Sequence, residues 1–407
     1  MEESYHNRVK PDAAIEIIRE LRRRGHVAYL VGGCVRDMVM EIEPADYDIA
    51  TSALPEQVVD IFPRTESIGA QFGVVLVIHH GHPFEVATFR SDEAYVDGRR
   101  PTGVVFTDAR QDVLRRDFTI NGLLYDPIEK EVIDYIKGRE DISAKVVRAI
   151  GDPHARFEED KLRILRAIRF GARLGYTIEP ATWDAVRAMA AKIHQVSSER
   201  IREELTRILT EGQAARGVRM LEESGLRREI LPDLEWTAHI EKSLELLGKE
   251  SSADFAVGVL LHHTPVKAVE RIVERLKFSR AEMHHILDLV ENFPRFSDVP
   301  KMSISELKRF FRLDRFEDHL RLAKIHAQAA GETLVNYEYA WAKRQEWADD
   351  QIWPEPVVTG NDLIAMGFTP GPMFKEILTR VEDEQLEGRL PNREQGLEFV
   401  RRNFLKS

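Results

Sequence analysis

Asp46 and Asp48, one residue apart in Ala45-Asp46-Tyr47-Asp48-Ile49-Ala50, are the sharpest chemical feature of this 407-residue chain. In a strand, the two-residue period sends both carboxylates to one face, with Tyr47 and Ile49 on the other. Such a pair repels itself unless a cation lies between. Hard oxygen donors suit Mg²⁺, and two such ions about 4 Å apart serve phosphoryl transfer. A D-x-D this short also fits an edge strand with a solvated acidic face, which taken alone is the commoner case. Fourteen residues upstream, Gly32-Gly33-Cys34-Val35-Arg36-Asp37 follows an apolar run. Two glycines there let backbone N–H groups approach a phosphate, and Arg36 can grip phosphate oxygens with its fork of donors. A tight turn would account for the glycines equally well. Glu85 is the one acid in the apolar run Phe84–Phe89, so it is expected to be buried and to need a metal or an ion pair with Arg64 or Arg90.

The elements that must position these residues can be read from periodicity. Ala14, Ile17, Ile18 and Leu21 recur at helical spacing before Gly25, and a strand follows at Val27–Val31. Short β-rich runs then dominate to about residue 145: Tyr47–Ala50, Val74–His79, Phe84–Phe89, Val104–Phe106 and Val132–Ile136. Helical pieces near Pro55–Phe62 and Leu123 interrupt them. Beyond Ala144 the period changes to 3.6 residues, with helices expected over 158–175, 180–193, 198–210, 212–224, 238–249, 253–261, 265–276 and 280–291. The class is α+β: a head with a small mixed sheet at 1–145, then an all-helical neck (146–232), body (233–350) and tail (351–407).

Composition narrows the function classes. Fifty-eight Lys and Arg stand against sixty-nine Asp and Glu, a net charge of −11, so the chain is no unspecific polycation. Any nucleic-acid partner must meet a local basic surface. Residues 161–200 supply one, with eight basic side chains against three acidic. On a helical wheel Arg166, Arg169 and Arg173 fall within about 120° of Arg163, opposite Ile164, Leu165, Ile168 and Ala172. A solvated amphipathic face would look the same. The single cysteine, Cys34, excludes a disulfide framework. Neither a membrane span nor a targeting segment is evident, and a cytoplasmic location is expected.

The runs LVGGCVRDMVM…ADYDIAT, FEVATFRSDEAYVDGRRPTGVVF, DVLRRDFTINGLLYDP, AIGDPHARFEEDKLRILRAIRFGARLGY and SSERIREEL closely resemble the class II tRNA nucleotidyltransferase and bacterial poly(A) polymerase family of the polymerase-β superfamily. The matches fall in the family's order over residues 28–210, and PVVTGNDLIAMGFTPGPMFKEIL resembles its C-terminal segment. The resemblance implies a polymerase-β-like head in which Asp46, Asp48 and Glu85 are catalytic, the two aspartates holding two Mg²⁺ ions. Gly32, Gly33, Arg36 and Arg116 would bind the nucleotide triphosphate. Asp160, Arg163, Arg166 and Arg169 would line a protein template for the incoming base. Asp160 and Arg163, at i and i+3, would present an acceptor beside a forked donor. Cytosine and adenine each place an amino donor beside a ring acceptor, whereas uracil and guanine reverse that order. One carboxylate–guanidinium pair therefore accepts CTP and ATP and leaves polar groups unpaired against UTP and GTP.

Four activities share these motifs. The stretch 90–101 matches the loop needed for the final A, which disfavours CC-only addition, and the end of the sequence lacks the basic extension of many poly(A) polymerases. CCA addition to the tRNA 3′ end leads, followed by A-only addition and poly(A) synthesis. A nucleotidyltransferase for a small molecule or protein would leave the basic helix unexplained, and a non-catalytic RNA-binding module would leave the carboxylates unexplained. The helical trunk is expected to hold the tRNA acceptor stem and elbow. Arg271–Arg280 and Lys301–Lys324, each net +3, are candidates, though both could be solvated helix faces. No obligate protein partner is implied. Where some relatives carry LLHD, the start of a metal-dependent phosphohydrolase domain, this chain has Leu260-Leu261-His262-His263. These histidines read as structural or surface residues, and His284-His285 as incidental rather than a metal site.

Overall fold

The computed structural model describes residues 2–66, 73–92 and 104–405. The loop expected to serve the final A therefore lies, from residue 93 to 101, outside the described residues. The chain divides into two compact units: the stretch up to Leu234 with Arg275–Lys277, and Glu235–Glu274 with Phe278 onward. No helix among the described residues is long and apolar enough to cross a membrane.

The first unit opens with α1 (Glu2–Arg23), β1 (Ala28–Val31), α2 (Gly33–Val39), β2 (Asp48–Thr51), α3 (Pro55–Ile61), β3 (Thr65–Glu66), β4 (Val74–His79) and β5 (His82–Thr88). It continues through β6 (Arg90–Asp92), β7 (Val104–Phe106), α4 (Ala109–Leu114), β8 (Leu124–Asp126), β9 (Glu131–Ile133) and α5 (Gly138–Ala144). Seven strands form one mixed sheet in the order β3-β4-β5-β2-β1-β8-β9, in which only β2 and β5 run parallel. The β4–β5 hairpin turns at His80 (φ 48°) and Gly81 (φ 79°). Two consecutive positive φ values match the right-handed twist of the strands they join. Ala14, Ile17, Ile18 and Leu21 of α1 are fully buried, as their spacing predicts. Val31, Ala50, Phe89, Val113 and Leu124 form a cluster that ties the central strands to α4.

After a short parallel pair, β10 (Val146–Val147) with β11 (Thr177–Ile178), the unit is helical. It comprises α6 (Pro153–Glu159), α7 (Leu162–Leu174), α8 (Pro180–Ala188), α9 (Ser198–Thr210), α10 (Ala214–Glu223) and α11 (Leu226–Ile230). Gly217 on α10 lies against Ile208 of α9 with no room for a Cβ, so the helices cross closely. Here the structure corrects one expectation. The helix read over 158–175 is two helices, because Asp160 is extended (φ −144°, ψ 106°) and its carboxylate accepts the Leu162 N–H at 3.1 Å. A short acceptor side chain that bonds the backbone two residues on competes with the helical ladder.

The second unit holds α12 (Ala238–Glu245), α13 (Ala253–Leu261), α14 (Val266–Arg275), α15 (Arg280–Asn292), α16 (Ile304–Phe310), α17 (Phe316–Ala330), α18 (Val335–Glu346) and α19 (Asp349–Ile352), then α20 (Gly360–Ala365), α21 (Pro372–Leu386) and α22 (Arg393–Phe404). One aromatic cluster gathers Phe296, Phe310, Phe311 and Phe316. A second packs Val358, Leu363, Ile377, Val381 and Val400.

Candidate active site

Asp48 opens β2 and lies beside Glu85, since the parallel register sets Ile49 against Val86. Depth in the protein and repulsion from Glu85, opposed by Arg116 and reinforced by Asp46, push the Asp48 carboxyl up to about 6. A carboxylate raised first by desolvation and then by an acidic neighbour would be relieved by a nearby cation. Asp46 precedes the strand rather than sharing its pleat. Its side chain is 88% exposed, 3.9 Å from Lys10 Nζ. Glu85 differs from expectation, because it is exposed while Phe84 and Val86 are buried. The run that reads as uniformly apolar is an alternating strand, and its acid takes the open face.

Gly32 and Gly33 join β1 to α2. A Cβ on Gly32 would sit 3.2 Å from Arg116 Nη1 and 4.0 Å from Asp48 Oδ2, and its φ of 74° already favours glycine. The backbone thus passes between the Arg116 guanidinium and the Asp48 carboxylate. Arg116 is aimed by Asp112, which is buried and accepts from both Arg115 and Arg116. Burial would raise the Asp112 carboxyl, but the two guanidiniums hold it below the usual range. Arg36 is buried, with its donors on Asp37 and on Asn121 Oδ1 at 2.7 Å. Cys34 bonds the Val31 carbonyl, and burial pushes its thiol up to about 12, so it is no nucleophile.

A cavity of about 500 Å³ in the first unit is lined by Gly32, Gly33, Asp48 and nine described arginines, with Asp117 and Asp160 as the other acids. It gathers every nucleotide-binding residue named from the sequence: Arg36, Arg116, Asp160, Arg163, Arg166 and Arg169. Asp46 and Glu85 stand outside its lining. The basic stripe of α7 is solvated only at its end, where Arg173 is exposed. Arg163 and Arg169 are buried, and Arg169 bonds Glu204 of α9 at 2.7 Å and packs 4.4 Å from the Phe170 ring centroid.

Asp160 and Arg163 both reach the cavity, but not as a mutual pair on one helix. Both Asp160 oxygens are held by Arg200, at 3.1 and 2.7 Å. Arg163 bonds Glu159 at 2.6 Å and the Arg115 carbonyl at 3.0 Å. Sequence reading missed Asp117, Glu204 and Arg200, the residues that fix this wall. Asp117 is buried under Arg166, at 2.7 Å from its Nε. Burial alone would raise its carboxyl, yet Arg166 and Arg163 hold it down to about 2. Asp117 stands in RRDFTIN, and Arg200 and Glu204 in SSERIREEL, so the signal was present in runs whose arginines drew attention first.

Three family models match successive stretches of the chain. Residues 28–148 match the family model described as the poly A polymerase head domain. Residues 175–237 match "Probable RNA and SrmB- binding site of polymerase A", and 249–400 match tRNA nucleotidyltransferase domain 2. A CCA-adding enzyme from Geobacillus sp. (strain WCH70) is 33% identical over 97% of each chain. The crystal structure of the Bacillus stearothermophilus CCA-adding enzyme in complex with CTP superposes with a TM-score of 0.80, at 30% identity, over 96% of this chain and 97% of that one. The Thermotoga maritima CCA-adding enzyme complexed with tRNA shares the fold at 20% identity, with a TM-score of 0.65 over 96% of this chain and 94% of that one. With a third of its residues identical to such an enzyme along almost its whole length, the chain belongs to the CCA-adding enzyme family of nucleotidyltransferases.

Proposed function

We propose that this protein adds CCA to the 3′ end of tRNA, taking CTP and ATP and releasing pyrophosphate, with no nucleic-acid template. The observation that carries the reading is the single cavity in which Asp48, the Gly32–Gly33 turn and Arg116 stand on one wall and Asp160 and Arg163 on another. Its arginines oppose the triphosphate charge inside a molecule of net charge −11. Arg116, aimed by Asp112, is placed for the phosphates next to the Gly32 backbone. Asp160 keeps acceptor capacity beyond its Arg200 bonds, since a carboxylate offers about four lone-pair sites, and Arg163 keeps unused N–H donors. Together they suit an amino group beside a ring acceptor, the pattern that cytosine and adenine share.

The oxygen donors of Asp46, Asp48 and Glu85 fit Mg²⁺, and the raised Asp48 carboxyl is the mark of acids that a dication would relieve. Asp46 and Asp48 would hold the metal with Glu85 beside them. When bound, it supplies charge neutralisation on the attacking and leaving oxygens of an in-line displacement at the α-phosphorus. The primer 3′-oxygen bonds the α-phosphorus as the α–β phosphoanhydride bond breaks; pyrophosphate leaves with that bond's electron pair and the hydroxyl proton passes to solvent. The buried packing of α7 on α9 holds the base-reading wall fixed while the growing 3′ end changes. A cytoplasmic location, where tRNA, CTP and ATP meet, is part of the proposal.

The test is extension of three tRNAs, ending before the CCA, after CC, or complete, with Mg²⁺ and CTP, ATP or both. Addition that completes CCA and stops is expected. Long A tails would mean poly(A) synthesis, and reaction only on the CC end would mean A addition alone.

A further inference from the structure

Four histidines far apart in sequence converge in the second unit: His239 on α12, His262 and His263 at the end of α13, and His326 on α17. One ring nitrogen from each lies within 4.8 Å of the others. His262 is buried and fixes the cluster's chemistry. Its Nδ1 is 2.7 Å from the Val259 carbonyl, which can only accept, so Nδ1 carries the proton and Nε2 the lone pair. That Nε2 faces His239 Nε2 and His326 Nδ1, each at 3.3 Å. One lone pair accepts one well-aligned N–H, and 3.3 Å is long even for that. Two nitrogens converging on it are better explained by a cation among them.

We infer that His239, His262, His263 and His326 form a mononuclear site for a zinc-class transition-metal ion that clamps α12, α13 and α17 together. Four ligands at zinc–nitrogen distances in a tetrahedron stand about 3.3 Å apart, the separation found for two of the pairs. The Val259 carbonyl on the far nitrogen of His262 is the kind of partner that orients a ligating imidazole. Phe293 lies edge-on to His262 and His326, with centroids 5.1 and 4.7 Å away, giving the inner side of the site an apolar wall. All-imidazole ligation excludes Mg²⁺ and Ca²⁺, which take oxygen, and selects Zn²⁺ or a neighbour in the first transition row. The cluster contains no carboxylate to serve as a general base, so its role is structural. Sequence alone could not reveal it, because His239 and His326 are 87 residues apart and neither adjoins the His262-His263 pair.

The experiment titrates chelator-stripped full-length protein with Zn²⁺ in excess Mg²⁺, reading affinity by competition with a chromophoric chelator, and with Co²⁺, reading its visible spectrum. One equivalent of Zn²⁺ per chain and an intense tetrahedral Co²⁺ band are expected. His239→Gln and His326→Gln should each weaken zinc by at least about tenfold. His263→Gln, at an exposed position where folding is not at stake, should weaken it as well, and Asp46→Asn should leave it unchanged. Absence of a saturable zinc site, or equal affinity in His263→Gln and wild type, would overturn the proposal.

Discussion

Arg200 grips both carboxylate oxygens of Asp160 from forty residues away, while Arg163, three residues along from Asp160, bonds Glu159 instead. The wall proposed to read the base is therefore assembled from the α6–α7 junction, α7 and α9, and not along one helix face. Replacing Arg200 by Ala should free the Asp160 carboxylate to rotate. Preference for CTP and ATP over UTP and GTP, measured as ratios of kcat/KM, should fall by about tenfold, or about 1.4 kcal/mol. Unchanged ratios would show that Asp160 needs no such partner.

Asp117 is the buried counter-charge beneath Arg166. Asp117→Asn leaves that guanidinium with only the more distant Glu204, 3.9 Å away, at a cost of about 3 kcal/mol. The sign follows from a carboxyl held down to about 2: its stabilisation is present above the ordinary aspartate value near 4 and is lost as pH falls through 2. Urea midpoints of variant and wild type should differ widely at pH 7 and draw together near pH 3. A gap of equal size at both would contradict the assignment.

The raised Asp48 carboxyl makes protons and metal compete for one group. At low Mg²⁺ the acid limb of the extension rate should have its midpoint near 6, the value to which burial and Glu85 push Asp48. More Mg²⁺ should move that limb to lower pH, since metal binding favours the deprotonated form. An acid limb that ignores Mg²⁺ concentration would place the titrating group elsewhere. Asp48→Asn should abolish extension and, by removing repulsion, raise the thermal midpoint of the metal-free protein at neutral pH.

His285 on α15, read from sequence as incidental, is buried between Asp254 at 2.9 Å and Asp318 at 3.4 Å. Burial opposes its charge, but the two carboxylates outweigh it and raise the imidazole to about 9. Its stabilisation is complete below about 6.5 and is lost as pH rises through 9. His285→Gln should cost about 3 kcal/mol at pH 6 and progressively less as pH rises from about 6.5 to 9. Thermal midpoints that differ equally across that range would rule the ion pair out.

How much was legible depended on the range of the interaction that decides each feature. The helices at 198–210 and 253–261 and the strand at 74–79 have the bounds their periodicity predicts, because local pattern and tertiary burial agree there. The same rule failed at Asp160, where one side-chain hydrogen bond broke a continuous pattern. It failed at Glu85, where bulky neighbours hid an alternating strand. Asp46, Asp48 and the glycine turn were visible because their chemistry lies in adjacent residues. Asp117 and Glu204 were not, since their partners stand 49 and 35 residues away. The four-histidine cluster, drawn from three helices, is the extreme of the same limit.

The central claim, that side chains rather than a nucleic-acid template choose the base, is met most directly by comparing the four nucleotides on a CC-ended tRNA with wild type and Asp160→Ala. Wild type should use ATP and discriminate strongly against GTP and UTP. The variant should retain extension while losing at least about tenfold of that discrimination. Full selectivity in Asp160→Ala would contradict the account.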